Sequence, residues 1–207
     1  MEIQRVNSYT DDRFSRDVLL EHGAFLVDGC RPCAFKIRDD HSADVFFDDY
    51  SDIAEIIEEF RFYAEHITVF YDRAGVKIAE FPPVPLKAMP IESIQPSQFY
   101  VDSDKVRAIS AFISRGQDII VPVVYDERID RYVSLDGHTR LYYAHTRGWQ
   151  AVRVFESRSD AYIFSFADEA RRRGIFSPRE LTMLPHEEYV LRWDKFCDDF
   201  FAREEQL

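Results

Sequence analysis

The sequence predicts an α+β protein: an N-terminal ββαββ lobe over residues 1–85, an α/β module over 90–156, and C-terminal helices over 157–207 packed on that module. Three observations predict it. Short apolar runs come in pairs around Gly, Asp and Pro, as hairpins do; other stretches repeat apolar residues at helical spacing; and a proline-rich segment, 81–90, interrupts both patterns.

In the first lobe, the apolar runs 24–27 and 34–37 flank Asp28-Gly29 and Pro32, which marks a hairpin. Ile53, Ile56, Ile57, Phe60 and Ala64 then repeat at helical spacing behind Ser51-Asp52, with Glu55 placed as a capping-box partner. A second hairpin follows, in which 68–71 and 76–81 bracket Asp72-Arg73-Ala74-Gly75. Pro82-Pro83-Val84-Pro85 ends it, because proline has no amide hydrogen to extend a ladder. This stiff, extended stretch is the predicted boundary.

Beyond the boundary, Ser93-Ile94 begins a short strand. Asp102-Ser103 caps a helix that turns Val106, Ile109, Phe112 and Ile113 toward the core and stops at Gly116. Residues 119–124 read as a buried strand, 126–130 as a turn and 132–135 as its partner. A helix over 139–147 closes at Gly148, and 152–155 is the last strand, giving β-α-β-β-turn-α-β. In the tail, a helix over 160–173 ends at Gly174. Ser177-Pro178-Arg179-Glu180 is a capping box with proline at the first helical position, and a final helix follows Pro185. Its Tyr189, Trp193, Phe196 and Phe200 share one face, a stripe expected to pack in the core.

Composition narrows the function. The net charge of -12, from 38 acidic and 26 basic residues, repels polyanions, so direct DNA binding is not expected. A small anion held by local donors is still allowed, since charges farther away than about 8 Å are screened. No window approaches the roughly 18 apolar residues of a membrane span, and the first residues lack a basic-then-apolar leader, so a soluble, cytoplasmic protein with no membrane partner is expected. Three cysteines exclude a disulfide framework. Cys30 and Cys33 form a CxxC with no second ligand pair, and read as turn thiols. The 18 Phe and 11 Tyr exceed what a monomer of this size needs and leave room for a homodimer.

Chemistry concentrates at Asp136-Gly137-His138-Thr139-Arg140. A strand ends there, glycine permits a sharp bend, and a helix starts at once, so unpaired first-turn amides and the helix dipole favour an anion. Arg140 offers a two-pronged grip on phosphate oxygens; His138 offers one hydrogen bond or a proton relay near neutral pH.

This turn, preceded by Ile94-Gln95-Pro96-Ser97-Gln98 and Asp102-Ser103-Asp104-Lys105-Val106 and followed by Gly148, resembles the ParB/sulfiredoxin-like superfamily over about a third of the chain. The whole chain resembles uncharacterised bacterial ParB-like proteins that join such a module to an N-terminal lobe and a helical tail. Some of these carry an acetyltransferase label, for which residues 1–90 hold no coenzyme A phosphate loop. The resemblance implies a nucleotide pocket in which Gly137, His138, Thr139 and Arg140 hold phosphates of ATP or ADP, or of CTP, and Lys105 contacts the nucleotide. Sulfiredoxin repair is not implied, because His138 stands where those enzymes carry their cysteine; nor is a partition protein, which pairs a double arginine with a helix-turn-helix, because this turn has one arginine, the tail is a helical stretch of about 50 residues and the surface is acidic.

The most similar turn is the Asp-Gly-His-His-Arg of free-serine kinases, with Thr139 in place of the second histidine. Their catalytic glutamate corresponds to Gln98, which cannot accept a proton. The implied function is therefore a nucleotide-binding protein that phosphorylates a small hydroxyl substrate with magnesium. Asp136 and His138 are its catalytic candidates, Asp136 also the magnesium ligand, and Gln98, Asp102 and Asp104 candidates for substrate or metal. The alternatives are a non-catalytic nucleotide-sensing or protein-interaction module and, third, a ParB-like nuclease, disfavoured by the acidic surface and the lack of a clustered carboxylate metal site.

Overall fold

The computed structural model describes residues 1–6, 8 and 10–204, and it has the α+β class that the sequence predicts. The chain folds as two units, 1–85 and 86–207.

The first unit holds a six-stranded sheet whose strands lie in chain order: β1 (Ile3–Arg5), β2 (Ala24–Val27), β3 (Arg31–Ile37), β4 (Ser42–Phe46), β5 (Val69–Tyr71) and β6 (Lys77–Glu80). All neighbours are antiparallel except β4 and β5, which helix α2 (Ile53–Tyr63) joins as a parallel crossover; a short α1 (Arg16–Leu20) lies between β1 and β2. The ββαββ reading is thus corrected: it contained β2, β3, α2, β5 and β6 but missed β1, α1 and β4. Three and five residues are too few for a period to show in β1 and α1. β4 carries polar Ser42 and Asp44, the latter paired with Arg38 on the neighbouring strand's exit, so its apolar run is broken.

The core of this unit follows from the aromatic positions of the two faces. Phe60 of α2 stacks on Phe35 at 4.2 Å, and Phe25 and Phe70 meet it edge-on at 6.2 and 5.9 Å. The predicted capping box of α2 is also corrected, since Asp52 makes no side-chain cap. Asp49 instead accepts the Ser51 amide and closes a 3-10 turn, Tyr50–Asp52, that feeds the helix.

In the second unit, the proline-rich boundary is put to use: Lys87–Pro90 forms β7. With β8 (Ile94–Pro96), β10 (Ile120–Asp126), β11 (Arg131–Ser134) and β12 (Ala151–Glu156) it builds a mixed sheet of order β7-β12-β10-β11-β8. β10 runs parallel to β12 and β11 parallel to β8, the other pairs being antiparallel. Helix α3 (Ser103–Ile109) precedes β10 and α4 (His138–Thr146) follows β11. Leu141 and Ala144 of α4 are fully buried against Val121, Val123 and Val154 of the sheet.

The tail is not all helical. After α5 (Tyr162–Arg172), the predicted capping box at Ser177 does form, but it starts a single 3-10 turn and then strand β13 (Thr182–Leu184), which pairs in parallel with β9 (Tyr100–Asp102). Both strands are three residues long and partner across the unit, so neither carries a local signal. The last helical stretch runs through α6 (His186–Tyr189), a π-helical turn (Val190–Asp194) and α7 (Lys195–Glu204). Trp193 and Phe196 pack on Phe99, and Phe200 packs on Phe166. Helix α3 ends earlier than expected: after Ile109 the amides of Ala111 and Phe112 bond three residues back, to Ala108 and Ile109, and Phe112 is left 41% exposed.

Among the described residues, no helix is long and apolar enough to cross a membrane.

Candidate functional site

The start of α4 is where the sequence expectation becomes geometry. Strand β11 ends at Ser134, and three residues later Gly137 takes the N-cap position with φ +79°, in the left-handed region that side chains disfavour. Gly137 has no side chain with which to cap this nine-residue helix. The first amide bonded within it is that of Leu141, to the Gly137 carbonyl at 2.9 Å, so the amides of residues 138–140 precede the ladder and point out of its positive end.

Gly137 also makes room. A Cβ there would lie 3.2 Å from the Arg140 guanidinium and 3.2 Å from the Val121 side chain. Arg140 folds back over the glycine, donates Nη1 to the Ile120 carbonyl at 2.9 Å and holds Nη2 3.6 Å from the Asp136 carboxylate. The Ile120 bond uses one of the five N–H donors of a guanidinium, which leaves others to serve an anion. Thr139 is half-buried in the first turn, and Asp136 is exposed.

His138 does not face the anion side. It is 5% exposed, and its Nε2 accepts the Ser97 amide at 3.2 Å while lying 3.1 and 3.0 Å from the Ser97 and Ser134 hydroxyls. The Ser97 hydroxyl donates to the Ser134 carbonyl at 2.7 Å. An amide can only donate, so Nε2 carries no proton and the neutral ring keeps its hydrogen on Nδ1. Burial pushes the imidazole pKa down to about 4. The expected proton relay near neutral pH is therefore corrected: His138 ties the exit of β8 to the end of β11 and fixes the turn between them.

This gives a pH signature. At neutral pH the ring is uncharged in the folded chain and mostly uncharged in the unfolded one. Between the ordinary histidine value and about 4, the unfolded chain takes up a proton that the folded chain refuses, so stability falls as pH falls through that window. The loss is at most about 3 kcal/mol at the acid end. His138→Gln is expected to flatten this part of the profile in urea unfolding at a series of pH values. A slope equal to that of the unsubstituted protein would put the titration on another group.

The other predicted site residues fall in two groups. Gln98 donates its amide to the Tyr100 carbonyl and, at 3.1 Å, to the Tyr189 hydroxyl, and the exposed Lys105 ammonium sits 5.3 Å from the Tyr189 ring centre. Asp102, 2% exposed, caps α3 by accepting the Asp104 amide at 2.8 Å, and its second oxygen meets His186 Nδ1 at 2.8 Å. That hydrogen bond, with the charge of Asp102 behind it, raises the His186 pKa. Among the described residues, Asp102, Asp104 and His186 are the group of three or more ligand-type side chains whose atoms lie within 4.8 Å of one another; Asp136 is not part of it. Both oxygens of Asp102 already have partners there.

Sequence reading missed Ser97, Ser134, His186 and Tyr189 as neighbours of these residues. Tyr189 was legible only as part of an aromatic stripe, and Gln98 and Tyr189 are 91 positions apart. In the first unit, Cys33 is buried and its thiol pKa is pushed up to about 12, while Cys30 is exposed, so the CxxC presents no ready thiolate pair.

No protein-family model and no curated protein matches the chain. Among solved structures, the crystal structure of protein Atu1540 from Agrobacterium tumefaciens aligns with a TM-score of 0.32 and 20% identity, over 47% of this chain and 53% of that one. The match thus spans about half the length of each protein.

Proposed function

We propose that the unit 86–207 binds the phosphate group of a nucleotide at the N-terminal end of α4. ATP or ADP is the first candidate and CTP a further one. The observation that carries this reading is the glycine helix start at Gly137, with φ +79° and Arg140 anchored beside it on the Ile120 carbonyl. Amides of residues 138–140 supply oriented donors at the positive end of the helix, and Arg140 adds charge that a phosphate can share with Asp136 or take from it. Asp136, an exposed carboxylate in that turn, fits a magnesium ion held mainly by phosphate oxygens and water.

In the catalytic form of the proposal, the bound nucleotide phosphorylates the hydroxyl of a small molecule, with Asp136 orienting that hydroxyl. Phosphoryl transfer depends mostly on positioning and charge neutralisation, so a missing glutamate at Gln98 weakens this form without removing it. A second form, a nucleotide-sensing or protein-interaction module without turnover, is favoured by one specific feature. The side chains at the expected base and relay positions, Gln98 and His138, are a neutral amide bonded to Tyr100 and Tyr189 and a buried neutral ring.

Thermal unfolding with ATP, ADP, CTP and GTP, each with and without magnesium, tests the binding claim. A ligand at about 100 times its Kd adds about 2.7 kcal/mol of stability, and Arg140→Ala is expected to remove most of the shift. No shift with any nucleotide overturns the reading. Nucleotide consumption in the presence of serine-like hydroxyl acceptors then separates the two forms, since a sensor binds without turnover.

A further inference from the structure

The second unit carries another anion-directed feature, away from the turn. An open groove of about 450 Å³ lies between α5 and α7, lined by Ser165, Glu169, Arg172, Arg173, Phe196, Phe200 and Arg203. That volume is in the range of small-molecule sites. Three guanidiniums against one carboxylate leave a net charge of +2 on this lining, in a chain whose total is -12.

The guanidiniums are held in place. Glu169, mostly buried, accepts Arg172 Nη2 at 2.7 Å and Arg173 Nε at 2.8 Å, so one carboxylate fixes two cations side by side at the C-terminal end of α5. The Arg173 plane lies over the Phe99 ring at 4.2 Å and near Phe196 at 5.6 Å. Arg203 reaches in from α7 and donates Nε to the Asp199 backbone carbonyl, a neutral acceptor, while the Asp199 carboxylate takes Lys195. Each arginine keeps further N–H donors for a ligand.

We propose that this cleft binds a small organic phosphate. Cations converge from two helices and so approach an acceptor from different directions, which the tetrahedral oxygens of a phosphate answer better than a planar carboxylate does. The Phe196 and Phe200 rings give the ester group an apolar surface to rest on. A bound phosphate would bridge α5 and α7 and hold the last helix against the module.

Calorimetric titration of the full chain with phenyl phosphate, inorganic phosphate and phenol tests this. Phenyl phosphate is expected to bind more tightly than either of the other two. Arg172→Gln and Arg203→Gln, both at exposed positions, are each expected to weaken it about tenfold or more, as losing a charge-assisted hydrogen bond does. Arg140→Gln, which disables the phosphate turn of α4, is expected to keep phenyl phosphate binding at this cleft, and adding Arg172→Gln and Arg203→Gln in that background is expected to remove it, which keeps this site distinct from the nucleotide turn. Absence of phenyl phosphate binding at millimolar concentration overturns the proposal, as does binding unaffected by the Arg172→Gln/Arg203→Gln double variant or lost in Arg140→Gln. Circular dichroism of each variant confirms that the helices are intact.

Discussion

Phe60→Ala is expected to destabilise the protein by about 3–5 kcal/mol, the cost of emptying a large aromatic position in a closed core. The position is 1% exposed, and the ring is enclosed by Phe25, Phe35 and Phe70 from three strands of the first sheet. These neighbours are held by the β2, β3 and β5 ladders, so they cannot collapse far into the space, and the loss of aromatic contact adds to the loss of buried area. Urea unfolding should show the midpoint for the first unit moving sharply down with its m-value little changed. A loss under about 1 kcal/mol would mean that the four rings do not form one rigid core.

Gly137→Val is expected to abolish the nucleotide-induced thermal shift and to cost about 1–3 kcal/mol without ligand, because a β-branched residue is forced to a positive φ. Two effects act together. The new side chain meets Val121 on β10 and the Arg140 guanidinium, both 3.2 Å from the Cβ position, so relieving the contact moves either the helix start or the arginine. Either movement displaces donors on which the anion site depends. Thermal unfolding with and without nucleotide and magnesium measures both quantities, and a variant that keeps the full ligand shift would show that the turn does not hold the phosphate. Gly137→Ala makes the same contacts with a smaller side chain and should fall between the variant and the parent.

The two substitutions probe opposite kinds of information. Phe60 was legible because helical periodicity placed Ile53, Ile56, Ile57 and Phe60 on one face of α2 before any partner was known. The capping of that helix was not legible: Asp49, three residues upstream of the expected Asp52, does the work through a 3-10 turn, a geometry chosen by how the chain arrives from β4. At the candidate site, the glycine turn and the helix after it were legible from the strand–Gly–helix succession. The inward direction of His138 was not. Its fate is set by Ser97, 41 positions earlier, whose amide reaches Nε2 because β8 pairs in parallel with β11.

Local patterns therefore determined the α+β class, both hairpins of the first unit, the main helices and the bend at Gly137, since each rests on side-chain period or turn chemistry within a few residues. Tertiary structure alone decided the strands β1, β4, β9 and β13, the pairing of Asp102 with His186 84 positions away, and the change of His138 from a titrating group into a buried, neutral tie. The physical reason is that a three-residue strand or a single polar side chain has no period to reveal it. Its state is fixed by burial and by hydrogen-bond partners that only the folded chain brings within reach.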